Sequence, residues 1–221
     1  MRDRRIGETG VTADAAAHLR DAIRTGRFAP GARIVERPVA QELGISAIAV
    51  RDALARLTQE GWVERLPRRG ARVRDPGPAE LDDITAVRVL VEGEALARAS
   101  VALDDATERE LRALLTGMDQ AAGRGDRSAL LAQDEAFHAA LWRAAGSATL
   151  EELLGNLTAR VIPLVRRSID GMPEAELAAM RGWHEQLLVG VLAGPDEARA
   201  AVARHAELTR TRVASHPQEG T

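Results

Sequence analysis

Four residues carry the most chemistry: Asp134, His138, His184 and His205. In the segment 127–145, Leu130, Asp134, Phe137, His138 and Leu141 fall on one helical face, with Asp134 and His138 as i, i+4 neighbours. In 174–193 the face is Leu177, Met180, His184, Leu187, Leu188 and Val191; in 195–214 it is Ala198, Ala201, Val202, His205 and Leu208. Three of the five histidines therefore interrupt apolar stripes, and an aspartate joins them. His18 and His216 fit no such pattern; the first reads as a helix-surface residue and the second as part of the tail. An unpaired carboxylate is costly to bury, so the set needs a compensating partner. A divalent transition metal would satisfy all four groups, and this donor set suits Zn, Ni, Fe or Mn. The alternative is an Asp–His hydrogen bond beside two unrelated core histidines.

The elements that would hold these residues follow from periodicity. Residues 1–8 are polar and are expected to be disordered. Apolar residues at helical spacing predict a helix over 12–26. A Pro-Gly turn at 30–31 and a short helix over 38–43, stopped by Gly44, come next. Ser46 N-caps a longer helix reaching about Glu60, and WVERL and ARVRD form two strands around the turn PRRG. DPGP at 75–78 marks a boundary. Beyond it only helices are expected, over 78–102, 106–123, 127–145, 148–169, 174–193 and 195–214, with Pro163 kinking the fourth. The tail SHPQEGT reads as loose. The fold class is mainly α: a winged helix-turn-helix over 9–75 and an all-α helical bundle over 78–214.

Composition narrows the class. The chain has 221 residues, enough for two small domains, and no cysteine, which excludes disulfides and thiolate metal sites. No stretch approaches 18 uncharged apolar residues, and MRDRRIGETG lacks the apolar core of a secretory signal. A cytoplasmic protein without a membrane partner is the expectation. All 30 basic residues are arginine, which reads first as coding bias. They are unevenly balanced: 15 face 9 carboxylates through residue 74, and 15 face 24 beyond it. A basic head on an acidic body suggests that only the head meets a polyanion.

The helix after Ser46 has the shape of a DNA reader. Val50, Ala53, Leu54 and Leu57 form its apolar stripe, leaving Ala47, Ile48, Arg51, Asp52, Ala55 and Arg56 outward. Its first turn could enter the major groove, while Arg68, Arg69 and Arg72 on the wing reach phosphates and Gly70 permits close backbone approach. From His18 to Arg74, the PG turn, LGIS, VRDAL, EGWV and the RRG wing resemble the GntR family of regulators. The resemblance implies DNA contacts from Arg37, Ser46, Arg51 and Gly70. It also exposes a departure: the family usually has serine-arginine-threonine-proline where this chain has Ser46-Ala47-Ile48-Ala49. The absent arginine would be a principal base reader, so an unusual operator or weaker binding is expected, with Ala47 and Ile48 able to meet thymine methyls instead.

DEAFH, WHEQLLVGVLAG and ARHAEL, within Pro78–Ala214, resemble the FadR-type effector-binding domain called FCD. That resemblance implies a metal held by Asp134, His138, His184 and His205, and a small organic-acid effector whose carboxylate meets it. Arg88 matches an arginine that lines such pockets, its alternative being a surface or intersubunit salt bridge to Glu92; Asn156 and Arg160 are further effector candidates. Ser147 stands where the family usually has asparagine and can still cap a helix. Six helices rather than seven look like the VanR subgroup. A homodimer on a pseudo-palindromic operator, acting as a repressor, is the expectation.

Two other functions compete. An open metal site could activate water in an enzyme, but no HExxH-type base accompanies the ligands, and Glu135 and Glu185 sit about 100° around their helices from them. A ligand-binding protein that has lost specific DNA binding is the other. Ala47→Arg should tighten operator binding and shift base preference towards guanine by about 1–3 kcal/mol. Quantitative gel shifts on base-substituted duplexes check this; unchanged preference refutes it.

Overall fold

A computed structural model describes residues 3–67 and 69–215. These residues divide into two compact units. One runs from the N-terminus to Pro76 and includes Thr158–Arg166; the other comprises Gly77–Leu157 and the chain from Arg167 onward.

In the first unit, α1 (Asp3–Arg24) packs on α3 (Ala47–Gln59), burying Leu19 and Ile23 with Leu54 and Leu57. α2 (Glu36–Leu43) ends at Gly44, whose left-handed backbone (φ 64°) turns the chain into α3. Ser46 caps α3 by accepting a hydrogen bond from the Ala49 N–H at 3.1 Å. Three antiparallel strands follow the order β1-β3-β2, with β1 Arg33–Ile34, β2 Val63–Leu66 and β3 Gly70–Val73. Ile34, Val63, Ala71 and Val73 turn inward from this sheet. Gly70 is required there: its φ is +86°, and a Cβ would sit 2.3 Å from the Ile34 carbonyl oxygen.

The second unit begins with α4 (Pro78–Ala102), which has proline in its first turn. α5 (Asp105–Gly123) packs on α6 (Arg127–Ala144) and on α9 (Glu174–Ala193), while α4 packs on α6, α9 and α10 (Pro195–Ser215). Phe137, Leu96, Leu111, Met118, Leu130, Leu131 and Leu141 are among its fully buried side chains. No helix among the described residues is long and apolar enough to cross a membrane.

Several expectations need correction. α1 starts at Asp3, so most of the segment expected to be disordered is helical; Gly7 and Gly10 weaken a helix without breaking it. β1 is two residues long, too short to show alternation. The expected helix 148–169 is two helices, α7 (Ala148–Ala159) and α8 (Ile162–Gly171). Pro163 cannot donate to a continuing ladder, and here it lies in the first turn of a new helix, where its missing N–H costs nothing. The bundle segment therefore has seven helices, and the count that suggested the VanR subgroup does not hold. Leu208 is 40% exposed, because the buried stripe of α10 drifts through His205 towards Val213. Met1, Arg2, Arg68 and residues 216–221, including His216 and most of the expected loose tail, lie outside the described residues.

Gly190 sets how closely α9 approaches α10: a Cβ there would lie 2.6 Å from the Ala201 Cβ and 2.9 Å from the Glu197 carbonyl oxygen. Gly190→Val should destabilise the chain by about 1–3 kcal/mol, read as a lowered midpoint in denaturant. An unchanged midpoint would show that the two helices are not tightly apposed.

Candidate functional site

The three imidazoles converge from α6, α9 and α10. One ligating nitrogen from each of His138, His184 and His205 lies within 4.8 Å of the others. Ring centroids are 5.3 Å apart for His138 and His184, 5.2 Å for His138 and His205, and 4.8 Å for His184 and His205. His138 is 6% exposed and His184 2%, so neither ring can rely on bulk water. Phe137 closes the group with an edge-on contact to His184.

Two of the rings are oriented by acceptors behind them. His138 Nδ1 meets Glu92 Oε1 at 3.0 Å, and His184 Nδ1 meets the Met180 carbonyl oxygen at 2.8 Å. A carboxylate and a carbonyl can only accept, so each Nδ1 donates, leaving Nε2 with a lone pair when the ring is neutral. His184 Nε2 lies 2.6 Å from Asp134 Oδ1. The approach lacks hydrogen-bond alignment, so Nε2 stays buried without a partner, as does His205 Nδ1. Orphaned nitrogens beside a carboxylate fit a cation bound at the centre of the group.

Charge supports the same arrangement. Burial pushes the Asp134 carboxyl up, but the His184, His138 and His205 rings outweigh it and hold it at about 2. Burial also opposes ionisation of Glu92, yet Arg88, His138 and Trp142 keep it well below the usual carboxylate range. Burial lowers His184, and the Asp134 charge more than restores it, raising the ring above its ordinary value. His205 falls well below its ordinary value, through burial and then through its two imidazole neighbours.

Glu92 is the member that sequence reasoning missed. It is 4% exposed and accepts from Trp142 Nε1 at 2.9 Å as well as from His138. Its second oxygen faces Arg88 Nη2 at 3.3 Å. The bridge considered for Arg88 is thus present, but inside the unit rather than on its surface, and Arg88 Nε remains buried without a partner. The signal was available: Glu92 shares a helical face with Ala95, Leu96 and Ala99. Asn156 is half-buried on α7, and Arg160, half-buried just beyond it, belongs to the N-terminal unit.

A second candidate surface lies in the N-terminal unit. Arg33, Arg37, Arg51, Arg65 and Arg69 line one depression with Glu36 and Gly70. Arg51 is gripped by Glu36, donating from Nε at 3.2 and 3.1 Å and from Nη2 at 2.8 Å. The hydrogen bond from Arg51 holds the Glu36 carboxyl below its ordinary range. Arg33 Nε donates to the Arg69 carbonyl oxygen at 2.9 Å, and Arg65 Nη1 to that of Arg51 at 3.4 Å. Ile48, in the first turn of α3, is 67% exposed; Ala47 is half-buried and Ser46 exposed. Arg72 is exposed and lies 3.7 Å from Glu64, while Arg68 is outside the described residues. Arg33, Arg65 and Glu36 were not singled out from sequence, since their grouping depends on the sheet.

Residues 83–208 match the FCD domain, and residues 11–73 match the bacterial regulatory proteins of the gntR family. The chain belongs to the GntR family. Its relatives include the HTH-type transcriptional regulator McbR of Escherichia coli, 27% identical over 194 residues and covering 87% of each chain. An uncharacterized HTH-type transcriptional regulator in the TAR-I ttuE-ttuC' intergenic region of Agrobacterium vitis is 34% identical over 140 residues, 62% of this chain and 81% of that one. The solved structure of E. coli McbR/YncC superposes with a TM-score of 0.83 at 25% identity, covering 93% of this chain and 97% of its own. This GntR protein is therefore a DNA-binding transcriptional regulator rather than an enzyme, and its FCD domain takes a small-molecule effector.

Glu92→Gln should remove the charge that compensates Arg88 and weaken the acceptor behind His138. Breaking such a buried pair costs about 3 kcal/mol. Thermal unfolding should report a clear fall in midpoint, and a variant as stable as wild type would show that Glu92 orients nothing.

Proposed function

We propose that this regulator is a homodimeric, cytoplasmic repressor whose operator binding is controlled by a small organic acid at a metal centre formed by Asp134, His138, His184 and His205. The observation that carries the reading is the convergence of two buried imidazoles and a half-buried third beside one carboxylate, with orphaned nitrogens between them. A divalent transition metal held there, Zn, Ni, Fe or Mn, would supply a Lewis-acidic position for an anionic ligand. Arg88, whose Nε is buried and unpartnered, would offer that ligand a charge-assisted hydrogen bond. Asn156, in the same unit, would add to its recognition.

The division of labour assigns residues 9–75 to DNA and 78–214 to the effector. Arg37 and Arg51 would meet the duplex from α2 and α3, with Arg68 and Arg69 on phosphates. Ser46 and Gly70 would present a hydroxyl and backbone groups. The exposed Ile48, with Ala47, would contact thymine methyls where other family members place an arginine on guanine. The arginine-lined surface favours retained DNA binding over its loss. On α4, Val87, Leu90 and Val101 are 46, 74 and 79% exposed and lie on one helical face, which supports a second copy of the chain covering it. Two-fold symmetry of the dimer would then be mirrored in a pseudo-palindromic operator. Regulation requires the effector to bind the DNA-competent and DNA-incompetent states with different affinity.

The double variant His138→Ala/His184→Ala tests the centre. It should lose bound metal by elemental analysis and lose any effect of organic acids on operator affinity, while circular dichroism still shows a helical fold. Equal metal content in variant and wild type would refute the site.

A further inference from the structure

Glu36 is a carboxylate placed where a polyanion should bind. Five arginines line its depression, and its charge opposes the attraction that they create. It is also less exposed than the group it holds: its side chain is 17% exposed and that of Arg51 is 55%. The acceptor is thus sunk into the surface and the guanidinium stands outside it.

The geometry determines which edge of Arg51 remains available. Glu36 takes Nε–H and one Nη2–H. Of the five guanidinium donors, the two on Nη1 and the second on Nη2 are left. These form the end-on edge that can donate twice to guanine O6 and N7. An unrestrained arginine can swing to any nearby phosphate, whereas a fixed one is rewarded only by a base that matches its edge.

We propose that Glu36 is a positioning residue for base recognition, fixing Arg51 with its end-on edge outward and weakening non-specific phosphate attraction at the same time. The inference rests on Arg51 facing the duplex. It assigns Glu36 an effect on sequence discrimination, distinct from its favourable place in the first turn of α2.

The test uses the full chain and two duplexes of equal length: one selected by the wild type from a randomised pool, and a scrambled control. Anisotropy titrations over a range of salt concentrations give both affinities. Glu36→Gln should bind the scrambled duplex about threefold more tightly and lose roughly tenfold in preference for the selected one. Its melting temperature should stay within about 2 °C of wild type, as for an ordinary surface substitution. In the Arg51→Ala background, Glu36→Gln should change the preference no further. Wild-type preference in Glu36→Gln, or an equal loss in both backgrounds, would overturn the proposal. Arg51→Ala alone binding both duplexes like wild type would instead defeat the placement of Arg51 on DNA.

Discussion

A carboxylate inside an apolar bundle must be met by donors or positive charge, and this constraint organises the C-terminal unit. Glu92 and Asp134 are both ionised against the cost of burial, and they are met differently. Glu92 is met within the protein: Arg88, His138 and Trp142 all donate to it. Asp134 faces imidazole nitrogens with no aligned donor between them. The first carboxylate therefore orients a ring, and the second is available to a cation. The difference lies in which helix faces each one, since α6 supplies both His138 and Asp134.

The arrangement also depends on close helix packing. Gly190, six residues after His184, lets α9 approach α10 near Ala201, four residues before His205. The His184 and His205 rings then stand 4.8 Å apart centroid to centroid, a distance that helices separated by an extra side chain would not permit. A similar economy operates in the N-terminal unit, where Gly70 allows β3 to lie against β1. That short strand brings Arg33 beside the arginines of α2, α3 and the wing. Glu36 then holds Arg51, so a negative group organises a positive surface much as Glu92 orients the His138 ring.

Much of this was legible in the residues. Helical spacing placed Asp134, His138, His184 and His205 on the inner faces of their helices, and the structure brings those faces together. The stripe Val50, Ala53, Leu54 and Leu57 is buried, and α4 spans the expected 78–102. Other features were not legible because they are non-local. β1 exists only through pairing with β3. The break between α7 and α8 was anticipated as a kink, because a proline can either bend a helix or open a new one. Leu208 left the core because a 3.6-residue period drifts off a fixed stripe over a long helix.

The sequence by itself determined the family, most of the element order and the main buried stripes, because these follow from periodicity, caps and local motifs within a few turns of chain. Only the tertiary structure decided the long-range partners: Glu92 behind His138 and Glu36 beneath Arg51. These pairings join residues 46 and 15 positions apart, and their hydrogen-bond geometry is set by how elements dock rather than by what precedes or follows a residue.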